Sequence, residues 1–194
     1  MKVLVACEYS GIVRDAFLEK GHDAWSCDLR PSEKGNPHLQ TDIFRALKVA
    51  DWDLMIAHPP CTYLSNSGVR WLYEKQGRWK DMIKGAVFFR KLLNADVPKI
   101  AVENPIMHKW AKKVIGKNQD QVIQPYQFGH AETKATCLWL KNLPKLKPTN
   151  LVDPEKVKHR VHEMAPSDDR SKERSRFFEG IAESMADQWS GLYG

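Results

Sequence analysis

The chain has 194 residues, 42% of them hydrophobic and 28% charged, enough for one soluble domain with a substantial core. It has no apolar run of bilayer length, and Met1–Ala6 offers only a very short apolar stretch after one basic residue, so neither a membrane span nor a signal sequence is expected and a cytoplasmic location is. A formal charge of +6 favours polyanionic partners, and four cysteines without CxxC spacing (Cys7, Cys27, Cys61, Cys137) predict reduced thiols and no metal site.

Strands and helices alternate along the chain, which predicts an α/β fold with a mostly parallel sheet. Lys2–Cys7 reads as a buried strand, and Ile12–Lys20 as a helix stopped by Gly21. Ala24–Cys27 and His38–Gln40 read as strands, with a helical turn near Ile43–Val49. Leu54–Ala57 is a buried strand that stops at two prolines, which cannot donate to a ladder. Met82, Ile83, Ala86, Phe89 and Leu93 recur at helical spacing, so Lys80–Leu93 is a helix whose apolar stripe packs in the core. Ile100–Val102 is a fifth strand, Met107–Ile115 a helix, and Val122–Phe128 with Thr136–Leu140 an antiparallel pair. Residues 142–172, rich in Pro, Lys, Asp and Ser, read as an exposed, partly mobile basic connection, and residues 177–192 as a closing helix. Residues 1–194 thus read as a single domain, without repeats.

Five landmarks carry chemistry. Cys7-Glu8-Tyr9-Ser10-Gly11 lies between the first strand and its helix, where Gly11 permits a tight turn and close approach to a ligand. Asp28 follows the second strand, a position from which an acid accepts from ribose hydroxyls or caps a turn. Asp42 either accepts from an adenine amine or caps the helix after it. Pro59-Pro60-Cys61 places a thiol on a rigid turn at the carboxyl end of a strand, where ligands of open α/β sheets sit. Glu103-Asn104-Pro105 ends the next strand with a carboxylate and an amide.

In this order the landmarks resemble the DNA cytosine-5 methyltransferase family, in a short, phage-like form. The family's Pro-Cys nucleophile pair corresponds to Pro60-Cys61 and its Glu-Asn-Val motif to Glu103-Asn104-Pro105. Its glycine-rich cofactor loop is reduced to Tyr9-Ser10-Gly11. Its Gln-x-Arg-x-Arg strand aligns with Phe128–Thr136, where Glu132, Lys134 and Thr136 replace Gln and the two Arg, and Ser175–Trp189 resembles its last motif. The resemblance implies a Rossmann-like S-adenosylmethionine-dependent methyltransferase fold with helices on both faces. It implies Cys61 and Glu103 as catalytic groups, and S-adenosylmethionine held by Glu8, Tyr9, Gly11, Asp28, Asp42 and Pro59. It places Ser65, Asn104, Lys134 and Thr136 against the substrate, and reads Ser65–Gly68 as a mobile loop that closes over Cys61.

The family inserts a long target-recognition region where this chain has only residues 142–172. Three outcomes remain open: relaxed DNA specificity, a partner subunit that supplies recognition, or a smaller substrate such as a free pyrimidine nucleotide. A phage origin implies the host cytoplasm. Two rival readings stand beside these. Amino-methyltransferases carry Asn- or Asp-Pro-Pro-aromatic at this strand end; His58-Pro59-Pro60-Cys61 shares the prolines but not the short acceptor or the aromatic. An inactive nucleic-acid-binding homologue needs neither Cys61 nor Glu103, and both are present.

Overall fold

A computed structural model of the chain describes residues 1–158 and 177–191. The sheet is built from β1 (Lys2–Ala6), β2 (Asp23–Asp28), β3 (His38–Gln40), β4 (Leu54–Ala57), β5 (Lys99–Pro105), β6 (Gln121–Ile123) and β7 (Thr136–Lys141), in the order β3-β2-β1-β4-β5-β7-β6. All run parallel except β7, which is inserted antiparallel between β5 and β6. This is the Rossmann-like methyltransferase fold that the sequence predicts. Strand order reverses between β1 and β4, so a crevice opens there at the carboxyl edge.

Alternation along each strand divides the core into two layers. Leu4, Ala6, Met55, Ala57, Ile100 and Val102 face one side, under α2 (Ile43–Ala46), α4 (Arg78–Leu93) and α5 (Lys109–Ile115). Val3, Val5, Leu54, Ile56 and Ala101 face the other, under α1 (Ile12–Glu19) and the last helix, α6 (Glu179–Ser190). A one-turn helix, α3 (Trp71–Glu74), precedes α4. Trp139 on β7 meets Phe89 of α4 edge to face at 4.9 Å, and Trp189 of α6 is fully buried with its Nε1 donating to the Pro144 carbonyl.

Most boundaries match the sequence reading to within a residue or two, and the differences have physical causes. The segment expected as one strand, Val122–Phe128, ends at Ile123 because Pro125 starts a 3-10 turn over Pro125–Gln127. β5 runs past the expected Val102 because β7 continues to pair with it through Pro105↔Thr136, whereas β4 stops at Ala57↔Val102. Glu103 therefore sits inside a strand that overhangs its neighbour. The connection expected to be loose is stitched to the β6–β7 linker as far as residue 158. Gly129 donates to the Asn150 carbonyl (2.7 Å), Val152 to Tyr126 (2.8 Å), and Lys158 to Ala131 (2.9 Å). Residues 159–172 of that connection, and the start of the Ser175–Trp189 motif, lie outside the described residues. Among the described residues no helix is long and apolar enough to cross a membrane.

Candidate active site

The loop after β1 is shaped by two left-handed residues, Cys7 (φ 58) and Gly11 (φ 75). Glu8 turns inward: its carboxylate, 4% exposed, accepts from the amides of Val13 (2.7 Å) and Arg14 (3.3 Å) and from the Ser10 hydroxyl (3.3 Å). It thereby satisfies the open amides of the first turn of α1, where a negative charge is favoured. Burial pushes its pKa up, while the charge of His58, those two amides and the Arg14 guanidinium pull it back. Tyr9 accepts from the Glu33 amide at 2.8 Å through its carbonyl, and Arg30 lies over its ring at 3.8 Å.

Gly11 is fixed by its neighbour as well as by φ. A Cβ there would lie 2.5 Å from Nη2 of Arg14, a side chain only 1% exposed. That guanidinium pairs with Asp15 and donates to the Ser26 and Ser32 hydroxyls and to the carbonyls of Gly35 (2.8 Å) and Pro37 (3.2 Å). One buried cation thus ties α1 to the segment 32–37. The sequence gives no local cue for it.

Asp28 and Asp42 come to the carboxyl ends of β2 and β3, where both raise the pKa of Cys7. Burial is the largest cause, followed by Asp28, Cys27 and Asp42, and together they push the thiol to about 12. Asp28, 12% exposed, accepts from the Arg30 amide at 2.9 Å. Asp42 caps α2 through one carboxylate oxygen, which accepts from the Phe44 amide at 2.9 Å. A separate pocket of about 260 Å³ lies beside the first loop, lined by Ser10, Ile12, Glu33, Lys34, His130 and Phe177 to Glu179. Neither aspartate lines it.

On the other side of the crevice, His58 extends the β1–β4 ladder by donating to the Ala6 carbonyl (2.9 Å), and the chain then turns through Pro59 and Pro60 to a half-buried Cys61. The turn is pinned from β5: Asn104, 1% exposed, donates through Nδ2 to the Pro59 carbonyl at 2.8 Å. Asn104, expected to face substrate, thus holds the backbone that carries the thiol through Nδ2, while its Oδ1 is buried without a hydrogen-bond partner among the described residues. Next to it Glu103 keeps 14% exposure, and its Oε2 lies 3.4 Å from Nδ1 of His58. The charge of Glu103 also contributes, after burial, to raising the thiol of Cys137 to about 11. Phe177 packs tilted against the His58 ring, with centroids 4.7 Å apart, and His58 Nε2 is buried without a hydrogen-bond partner among the described residues. His58 and Phe177 are functional candidates that the sequence reading did not single out. The signal for His58 was its place immediately after a buried strand.

The turn after Cys61 is not loose. The Cys61 carbonyl accepts from both Leu64 and Ser65, and Ser65 forms a bridge with Met107. Asn66 donates to the Ile106 carbonyl (2.8 Å), and the segment Asn66–Gly68 of the expected closing loop forms a 3-10 turn. His108 holds the same turn from below. Its Nδ1 accepts from the Ala111 amide and its Nε2 donates to the Tyr63 carbonyl at 3.1 Å, which defines the neutral tautomer; burial lowers its pKa accordingly.

Thr136 is buried in β7 with its hydroxyl donating to the Lys134 carbonyl, and the Lys134 ammonium lies over the Phe178 ring at 5.4 Å. The basic connection divides between the two sheet edges. Lys156 and Lys158 follow the linker that leads into β7 at the carboxyl edge. Lys145 and Lys147 follow the other end of β7, where Lys147 exchanges hydrogen bonds with Gln188. The adjacent Asp187 pairs with Lys20 at the end of α1, so these two lysines sit at the amino edge, away from Cys61.

No protein-family model and no curated protein matches the chain. Solved structures do. A candidate DNA modification methyltransferase encoded within an E. coli prophage is 14% identical with a TM-score of 0.46, over 72% of this chain and 46% of that one. The Entamoeba histolytica methyltransferase EhMeth is 13% identical with a TM-score of 0.47, over 78% and 57%. The S. pombe Dnmt2 methyltransferase is 17% identical with a TM-score of 0.43, over 75% and 51%. The chain spans about half the length of these proteins. At such values the fold rests on the strand order and register above. By that order, the Pro60-Cys61 turn after β4 and the Glu103-Asn104 pair on β5, the chain resembles the DNA cytosine-5 methyltransferases.

Proposed function

We propose that the chain is an S-adenosylmethionine-dependent methyltransferase that modifies C5 of cytosine in DNA through a covalent Cys61 adduct. The observation that carries this reading is the placement of Pro60-Cys61 and Glu103 at the carboxyl ends of adjacent parallel strands, beside the strand-order reversal.

C5 of cytosine is a weak nucleophile until a thiolate adds to C6. In this reading Cys61 Sγ forms that bond and the ring's electron pair moves toward C5 and N3. A proton shared between one Glu103 carboxyl oxygen and N3 neutralises the negative charge that develops on the ring, while the other oxygen accepts from the exocyclic amine. His58 is a positioning residue: its Nδ1 steadies the Glu103 carboxyl, a contact long at 3.4 Å that shortens when a base fills the site. Asn104 fixes the turn through Pro59, so the thiol is held rather than swung into place.

The residues around the first loop fit the cofactor: a left-handed glycine that turns the backbone tightly and the Asp28 carboxylate for ribose hydroxyls. Asp42 and Pro59 complete the proposed rim. When bound, S-adenosylmethionine supplies an electrophilic methyl carbon and keeps the C–S electron pair as a neutral thioether. After transfer a base takes the C5 proton, the C5–C6 double bond re-forms, and Cys61 leaves as thiolate. The target base must leave its stack to reach these groups. The short connection 142–172, where the family carries a long recognition region, supports relaxed flanking-sequence preference. The test is S-adenosylmethionine binding, then labelled methyl transfer to DNA and to deoxycytidine nucleotides in parallel. Transfer to DNA supports the proposal; transfer to the nucleotides alone replaces the substrate; neither, with the cofactor bound, defeats it.

A further inference from the structure

Tyr73 of α3, Trp79 of α4 and Trp110 of α5 form an aromatic group at the surface. Tyr73 is 68% exposed and Trp79 37% exposed. They meet edge to face at 5.7 Å, Trp79 meets Trp110 of α5 at 5.6 Å, and Trp110 Nε1 donates to the Tyr73 hydroxyl at 3.0 Å. Large aromatic surface left in water marks a binding site more often than a packing accident. Cations frame it: Lys109 lies over the Trp110 ring at 4.9 Å, and Arg70 and Lys75 lie over the neighbouring Trp71 ring at 4.3 and 4.4 Å. Glu74 and Asp81 are the acids on this stretch, against Arg70, Lys75, Arg78, Lys80 and, across on α5, Lys109.

Topology puts the group beside the thiol. α4 begins where the chain leaves the carboxyl end of β4, and α5 begins where it leaves the carboxyl end of β5. Arg78 closes the gap, donating to the Thr62 carbonyl at 2.6 Å and lying over the Tyr63 ring at 4.2 Å, one and two residues after Cys61. By contrast, Lys145 and Lys147 of the basic connection lie at the opposite edge, and its described part, residues 142–158, is hydrogen-bonded to its neighbours.

We infer that this aromatic and basic surface on α3, α4 and α5 is the docking site for the DNA strand that carries the target base. Its cations meet the phosphates, and Tyr73 and Trp79 stack on bases exposed next to the flipped one. The inference rests on the proposed DNA substrate. Alternating cations and open rings are the chemistry of an unpaired strand, since every base offers a π face and every nucleotide a charge.

Anisotropy titration of a labelled single-stranded oligonucleotide, and of the same strand in a perfect duplex, tests it with the full chain. Tyr73→Ala and Trp79→Ala should each weaken single-strand binding by about fivefold or more, and Tyr73→Phe should bind like the wild type. Arg70→Gln/Lys75→Gln/Lys109→Gln should weaken binding to both probes and lower the single-strand salt slope by about 2. Aromatic variants that bind the single strand as the wild type does overturn the inference, even if methyl transfer to DNA persists. A wild type that binds DNA through this surface yet transfers no methyl group leaves the docking site standing and defeats the proposed activity instead.

Discussion

Replacing Arg14 by Met keeps most of the buried stem and removes only the guanidinium. The charge is 1% exposed, so its interactions are little screened. Its loss strips the Gly35 carbonyl of a 2.8 Å bond and removes one of several donors to the Pro37 carbonyl, which still accepts from Ser26. Breaking a buried ion pair costs about 3–5 kcal/mol when the partner is left uncompensated. Here Asp15 is 26% exposed and keeps Lys34 at 3.1 Å, so the lower part of that range applies, discounted to about 2–3 kcal/mol. For a chain of this size that lowers the thermal midpoint by roughly 4–12 °C. The segment 32–37 also loses its anchor, so S-adenosylmethionine affinity should fall along with stability. Circular dichroism melts and urea titration measure the first effect, and calorimetric cofactor titration the second. A variant within about 0.5 kcal/mol of the wild type would refute the claim that this cation holds the loop.

Three further outcomes follow from the same geometry. The pKa of His108 is lowered in the fold, so its contribution is fully present above its ordinary value near 6.5 and is lost as pH falls through the folded value. Melts from about pH 7.5 to about pH 5 should show a drop that His108→Asn blunts, and parallel curves would contradict the assignment. Lys156→Gln/Lys158→Gln should weaken duplex binding and flatten its salt slope by about 2, whereas Lys145→Gln/Lys147→Gln should leave both unchanged; equal losses would show that the edge assignment is wrong. His58→Ala should slow methyl transfer by up to about 100-fold and shift its pH profile while leaving cofactor affinity intact, and an unaltered profile would deny His58 its hold on Glu103.

The parts of the fold legible in the sequence were those set by local chemistry. Leu54–Ala57 is a continuous apolar run stopped by prolines, and the strand has those bounds. The alternating strands and helices gave the α/β class, because periodicity records which face is buried. What could not be read depends on pairing across the chain. The length of β5 is decided by β7, and the fate of Asn104 by the Pro59 carbonyl 45 residues away in sequence. Lys145 and Lys156 look alike in composition, yet the reversed direction of β7 sends them to opposite edges. The Tyr73–Trp79–Trp110 group joins three helices, the last of them distant in sequence from the other two, so no one segment announces it.

The covalent step is the account's central claim, and trapping it is the most direct test. Carbon–fluorine bonds do not release fluorine as a proton does, so DNA containing 5-fluorocytosine should stall after methyl transfer with Cys61 still bonded to C6. Intact-mass spectrometry of the wild-type chain with this DNA and S-adenosylmethionine should show one protein–DNA adduct, mapped by peptide digestion to Cys61. Cys61→Ser should bind cofactor and DNA but form none. Methyl transfer to ordinary cytosine by that variant, or an adduct mapped to Cys7, Cys27 or Cys137, would contradict the account.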